Sequence, residues 1–304
     1  MQSFTAVDGK TIYYRSWRAE SPRLNILLAH GMTEHSARFA HFGRFLAEYG
    51  ISLYVPDQRG HGETGKADNT LGHLRKNIDW DLMMLDLVEL KKIISAESSA
   101  PVFLMGHSMG SFLVRCTVQR YPETFNALIL SGTGSCPVPL GKVGKVIINL
   151  CCAFLGEEMV ADKIQNIVFK GFNNSVKAPQ TEFDWLTRDA AQIDLYIKDD
   201  LCGFMCTNGF YHELLNGMMT ANDGQKLTAL NKNMPVYIFS GDKDPVGLAG
   251  KGVKEVEQQF LQNGMKNVTC KLYSGGRHEM LNEINQLEVY ADLYHWLEEQ
   301  VENM

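Results

Sequence analysis

The sequence predicts an α/β architecture, a mainly parallel sheet flanked by helices, with an inserted helical cap. Six short apolar runs, partly β-branched, have the character of strands buried on both faces. Helical patterns fall between most of these runs, and strand alternating with helix implies parallel pairing. The rhythm then breaks over about a hundred residues that show helical segments but no convincing strand. The expected units are therefore 1–133 with 234–304 as the sheet domain, and 134–233 as the inserted cap.

Each element has its own reason. Stretches 4–7 and 11–17 flank Asp8-Gly9, a dipeptide that tolerates the positive backbone angles of a tight hairpin turn. Strands are expected at 26–29, 51–55, 102–105, 127–130, 236–239 and 268–272. Helices are expected at 39–49, 81–94, 109–121, 253–263 and 284–301, where apolar residues recur three and four apart. Within the cap, 143–155 is conspicuously apolar, and 182–197 and 204–219 carry further helical patterns. Met and aromatic residues here have an ordinary role in packing the cap onto the sheet. Their functional reading is an acyl pocket, with Phe154, Phe204 and Met218 as its candidate lining.

Composition narrows the function. The 304 residues carry 29 Lys+Arg against 35 Asp+Glu, a net charge of -6, so no basic field attracts nucleic acid. Residues 1–6 lack the basic and apolar segments of a secretory signal. The seven Cys are scattered without paired CxxC spacing, which argues against a disulfide framework or a zinc site and makes the cytoplasm the default location. The most apolar run, 146–156, is far shorter than the ~20 residues that cross a bilayer. At most, transient membrane-surface contact through the cap is expected.

Gly106-His107-Ser108-Met109-Gly110 follows an apolar run and precedes a helical pattern, which places a GxSxG motif at a strand-to-helix junction. Such an elbow lifts Ser108 above the sheet edge as a nucleophile. A serine hydroxyl needs a base, and the order Ser, Asp, His is expected for this architecture. His278 follows the last strand pattern and precedes the final helix; His212, in the cap, is its one rival. The carboxylate should end the preceding strand, where Asp242 and Asp244 compete. Asp244 is better placed to point inward, with Pro245 fixing the backbone after it, while Asp242 serves the turn. Two backbone N–H donors for a developing oxyanion are expected from Met109 and from Met32 in His30-Gly31-Met32.

With these residues in place, the sequence resembles the α/β-hydrolase superfamily, and within it the monoacylglycerol lipases and bacterial lysophospholipases. The similarity is carried by Asp8-Gly9 with Trp17, by His30 to Phe39, by Asp57-Gln58-Arg59-Gly60-His61-Gly62 and by the elbow at Ser108; the Asp244 and His278 segments follow in the family order. Met32 is bulky where the lipases usually have a small residue, and Thr64 stands where they have Ser. The resemblance implies the α/β-hydrolase fold, a Ser108, Asp244, His278 triad and an oxyanion hole at Met32 and Met109. The implied activity is cleavage of small-molecule acyl esters through an acyl-enzyme, with no cofactor and no metal. The alternatives are an aminopeptidase of the proline iminopeptidase kind, which would hold a free amine on Glu157, Glu158, Asp199 or Asp200, other chemistry of this superfamily on small substrates, and a non-catalytic binding protein.

Overall fold

The computed structural model describes residues 1–136 and 138–304. The strands are β1 (Gln2–Thr5), β2 (Thr11–Trp17), β3 (Leu24–Ala29), β4 (Ile51–Pro56), β5 (Val102–His107), β6 (Ala127–Ser131), β7 (Val236–Gly241) and β8 (Val268–Tyr273). They form one sheet in the order β1-β2-β4-β3-β5-β6-β7-β8. β1 and β2 pair antiparallel, as do β2 and β4; every other pairing is parallel. The expected hairpin forms, with Gly9 at φ +85 in its turn.

The helices between them are α1 (Ala40–Glu48), α2 (Gly62–Ala67), α3 (Asp79–Glu97), α4 (Met109–Arg120), α5 (Val138–Leu155), α6 (Asp162–Phe169), α7 (Ala190–Lys198), α8 (Asn208–Ala221), α9 (Lys251–Gln262) and α10 (Gln286–Glu302). Strand residues alternate between two cores. Leu27, Leu104, Leu128 and Ile238 face one that α3, α4, α8 and α9 cover. Ile26, Phe103, Ile129 and Phe239 face the other, covered by α1 and α10. Burial on both faces is why the strand runs are apolar throughout rather than alternating.

The long connection between β6 and β7 is helical, and its details differ from the expectation. The helix expected over 182–197 begins only at Ala190. Asp184 takes the Gln180 N–H at 2.6 Å, and Arg277 draws in the carbonyls of Asp184 and Thr187 at 2.5 and 2.8 Å, which removes them from any helical ladder. Asp189 then caps α7 by accepting the Ala191 N–H at 2.9 Å. The helix expected over 204–219 runs instead from Asn208 to Ala221, capped by Thr207. The short helices α2 and α6 were not expected.

The start of this connection and the end of α8 are fastened to α4 by one side chain. Arg115 is fully buried and donates to the carbonyls of Gly134 (3.1 Å) and Ala221 (2.9 Å), and to Asn222 and Gln259 side-chain oxygens at 3.1 Å. No carboxylate pairs with it among the described residues, and burial lowers its pKa to about 10.

Candidate active site

β5 ends at His107 and α4 starts at Met109, so Ser108 occupies the turn between them, at φ 52 and ψ -120. A non-glycine residue holds this region only against strain, and the neighbours supply the restraint. Ser108 N–H donates to Ser131 O at 2.9 Å, and its carbonyl accepts the Ser111 N–H (2.8 Å) and hydroxyl (2.6 Å). A Cβ at Gly110 would collide with the Ala29 carbonyl, so only glycine lets α4 pass this close to the end of β3.

β7 delivers the acid and the loop after β8 the imidazole. Asp244 is fully buried, and its Oδ1 lies 2.9 Å from His278 Nδ1. Its remaining capacity is filled by the Ser240 hydroxyl at 2.8 Å and the Val246 N–H at 2.9 Å. Burial pushes the Asp244 carboxyl up, but the charge and hydrogen bond of His278, with those two donors, outweigh it and hold it below the usual carboxylate value. For His278 burial works downward, and Asp244 reverses it, so the imidazole titrates above its ordinary 6.5. Asp242 turns elsewhere: its side chain accepts the Gly275 N–H at 2.8 Å and shapes the loop that carries His278. His212 lies in α8 against Glu213 at 3.1 Å and does not line the cavity described next.

Ser108 and His278 open onto one cavity of about 440 Å³. Met32, Met109, Phe112, Met205, Leu214 and Met218 give it an apolar wall, and Asn166, Lys170, Asn174 and Glu182 stand among its polar residues. Of the three expected lining residues, Met218 is there. Phe154 is 82% exposed on α5, outside the cavity. Phe204 packs on the His61 ring, centroids 5.7 Å apart, and does not line it either, since α8 starts four residues later than the pattern implied.

The loop after β3 closes on the elbow. A Cβ at Gly31 would sit 3.1 Å from the Ser108 Cβ. Among the described residues neither the Met32 nor the Met109 amide donates to a protein group, and the Met109 amide belongs to the first turn of α4, where backbone donors are unpaired. Glu34 shapes this loop by accepting the Gly31 N–H at 2.5 Å, and shares Arg38 with Glu279 at 2.9 and 2.6 Å. Burial pushes the Glu34 carboxyl up. Asp57 ties the same loop down through the Ser36 N–H at 2.8 Å and holds α2 through the Glu63 N–H at 2.9 Å. Arg59 is locked on Asp8 and Asp86, and Thr64 accepts the Tyr13 N–H at 2.9 Å. These residues of the Asp57 to Thr64 segment are therefore architectural.

Sequence reasoning missed what the β6–β7 connection does for His278. Trp185 packs against its ring, as does His107 at 4.9 Å, both tilted. The Leu186 carbonyl takes the Glu279 N–H at 2.7 Å, and Thr187 donates to Asn282 O at 2.9 Å. No short-range pattern marks such contacts. The four acids of the aminopeptidase alternative do not gather at the cavity: Asp199 pairs with His35 and Glu157 with the Lys76 N–H.

Comparison with known proteins agrees with this fold. A monoacylglycerol lipase of Mycolicibacterium smegmatis is 28% identical, over 97% of this chain and 95% of that protein. A thermostable carboxyl esterase from Bacillus coagulans superposes with a TM-score of 0.91 at 24% identity, covering 99% of this chain and 98% of that one. A monoglyceride lipase variant from Saccharomyces cerevisiae gives 0.77 at 20% identity, with 99% and 94% covered. The family model described as serine aminopeptidase, S33, matches residues 20–285, and the chain belongs to that family of α/β hydrolases.

Proposed function

We propose that this chain is a serine hydrolase that cleaves carboxylic esters of acyl chains, in the manner of monoacylglycerol lipases. The observation that carries the reading is the buried Asp244–His278 pair, 2.9 Å apart, beside the strained Ser108 on one partly apolar cavity. Asp244 fixes His278 with Nδ1 inward, which leaves Nε2 for the serine proton. Ser108 Oγ attacks the ester carbonyl as His278 takes that proton. The Met32 and Met109 amides receive the oxyanion, each donor being worth a factor of ~10²–10³ in rate. Collapse returns the proton to the departing alkoxide. Water, activated by the same imidazole, then releases the carboxylic acid and restores Ser108. The cycle calls on no cofactor.

In this reading the β6–β7 connection, 134–233, is a cap, and Met218 belongs to its acyl wall. Support for an ester substrate also comes from the name of the Mycolicibacterium relative. The description of the family model favours a second reading, aminopeptidase action. Its anchor would be Glu182, since the other two cavity carboxylates, Glu34 and Glu279, are engaged by Arg38. One panel separates the two: monoacylglycerols, lysophosphatidylcholine, p-nitrophenyl esters of graded length and a prolyl arylamide. Turnover confined to the esters supports the lipase-like reading, and turnover confined to the arylamide overturns it.

A further inference from the structure

His35, Asp199 and Cys202 meet where the loop after β3 touches the chain leaving α7. A His35 nitrogen, an Asp199 carboxylate oxygen and the Cys202 sulfur all lie within 4.8 Å of one another. We propose that these three residues bind a divalent ion of the zinc class, which clamps the β6–β7 connection onto the loop that carries Met32.

The donor set selects the ion. Imidazole, thiolate and carboxylate together suit zinc and its neighbours, whereas magnesium and calcium demand oxygen ligands. Zinc bonds of about 2.0–2.3 Å in a tetrahedron set ligand atoms roughly 3.3–3.8 Å apart, so closure needs movements of about 1 Å. The scaffold already orients the ligands. Asp199 Oδ1 accepts the Leu201 N–H at 2.9 Å, and Oδ2 faces His35 Nε2 at 2.8 Å. Gly203 N–H and the Tyr196 hydroxyl both reach the Thr33 carbonyl at 3.0 Å, fixing one segment against the other. Such outer hydrogen bonds are what hold metal ligands in place.

Burial and access at the cluster are compatible with an ion. The His35 imidazole is buried and presents Nε2 to the Asp199 carboxylate, so the nitrogen that would bind the ion is already aimed at a second ligand. The Asp199 side chain is 37% exposed, which provides an entry path and room for water as a fourth ligand. The nearby cation, Arg38, is held between Glu34 and Glu279, so the surroundings are not net positive. On binding, Cys202 loses its thiol proton to solvent and the ion takes the sulfur lone pair, with no change of oxidation state. Cysteine spacing alone argued against a zinc site because the ligands come from segments 164 residues apart that only the fold unites.

The test is a titration of the full chain with Co²⁺ as optical probe and Zn²⁺ as competitor. One equivalent of Co²⁺ should give a thiolate-to-metal charge-transfer band that Zn²⁺ displaces and that Cys202→Ser abolishes. Zn²⁺ affinity should fall at least ~10-fold in each of Cys202→Ser, His35→Gln and Asp199→Asn, and Zn²⁺ should raise the Tm of the wild type alone. Circular dichroism of the metal-free variants checks folding, and if Cys202→Ser fails to fold, Asp199→Asn at the part-exposed position carries the same titration. No charge-transfer band, a band that persists in Cys202→Ser, a wild-type Kd weaker than about 0.1 mM, or equal affinity in every folded variant overturns the proposal.

Discussion

The indole of Trp185 lies on the imidazole of His278, ring centroids 5.0 Å apart and 40° between planes. Trp185 comes from the β6–β7 connection, where it also packs on Phe169 and Phe172. The histidine is thus held at one nitrogen by a carboxylate from the loop after β7 and on its face by an aromatic ring from the β6–β7 connection. Its orientation depends on both parts of the chain.

The role of Ser108 gives the first expectation. Ser108→Ala should lower kcat at least ~10³-fold and abolish labelling by a fluorophosphonate probe. Ser108→Gly should be equally inactive yet more stable, by about 1 kcal/mol, because glycine occupies φ 52 without strain. Labelling and thermal melts check both; stoichiometric labelling of the Ala variant would remove Ser108 as nucleophile.

Asp244 and Asp242 sit two residues apart but face different partners. Asp244→Asn should reduce kcat by ~10³–10⁴, as loss of an orienting carboxylate does. Asp242→Asn keeps an amide oxygen to accept the Gly275 N–H and loses only its charge, so it should cost less than about 1 kcal/mol of stability, with a small effect on kcat. Steady-state kinetics of the two folded variants decides the matter, and a larger kcat loss at Asp242 would reverse it.

Proton uptake by His278 should be visible in the pH profile. The imidazole must be neutral to accept the serine proton, and Asp244 raises its pKa above 6.5. Activity should therefore rise with pH, kcat/KM titrating with an apparent pKa above 6.5. A midpoint below 6.5 in the free enzyme would contradict the arrangement.

Three other histidines predict acid lability. Burial lowers His30, His61 and His107 to about 3, so the folded chain keeps them neutral while the unfolded chain takes up protons below 6.5. Stability should fall as pH drops from 6.5 to 4.5, because the unfolded chain takes up these protons and the folded chain does not. Glu34 and Asp86, whose carboxyls burial pushes up, gain protons in the folded chain and offset part of this. Denaturant midpoints across that window provide the check, and a flat or rising series would refute it.

The cavity wall sets a chain-length expectation. Each methylene buried against Met32, Phe112 and Met218 is worth up to ~0.8 kcal/mol, about fourfold in kcat/KM, until the cavity is full. Met218→Ser should flatten the rise, while Phe154→Ser, on the exposed face of α5, should leave it unchanged. A wild-type kcat/KM that declines from acetate onward would move the weight to small esters.

Much of this was legible before any coordinates. Runs such as 102–105 and 236–239 are apolar at every position because both faces are covered, and the elbow at Ser108 is marked by two glycines at fixed offsets. Local chemistry also separated Asp244 from Asp242. What stayed hidden depends on distant partners. Trp185 has no motif; it matters only because Arg277 and Thr187 fasten its segment beside His278. Phe204 reads as part of a helix, yet Thr207 caps α8 beyond it and His61 claims its ring. Phe154 shares its apolar pattern with a buried residue although α5 turns it to solvent.

Arg115 grips the carbonyls of Gly134, three residues after β6, and of Ala221, the last residue of α8. Its contacts with these two points are to main-chain oxygens, which any sequence possesses, apart from one to Asn222. The chain in between can therefore change in length and composition without losing this grip, provided a replacement still supplies the ring and main-chain groups that hold His278. A helical segment of another length or composition, grafted between these two carbonyls, would meet the same socket on α4 and leave the turn at Ser108 undisturbed.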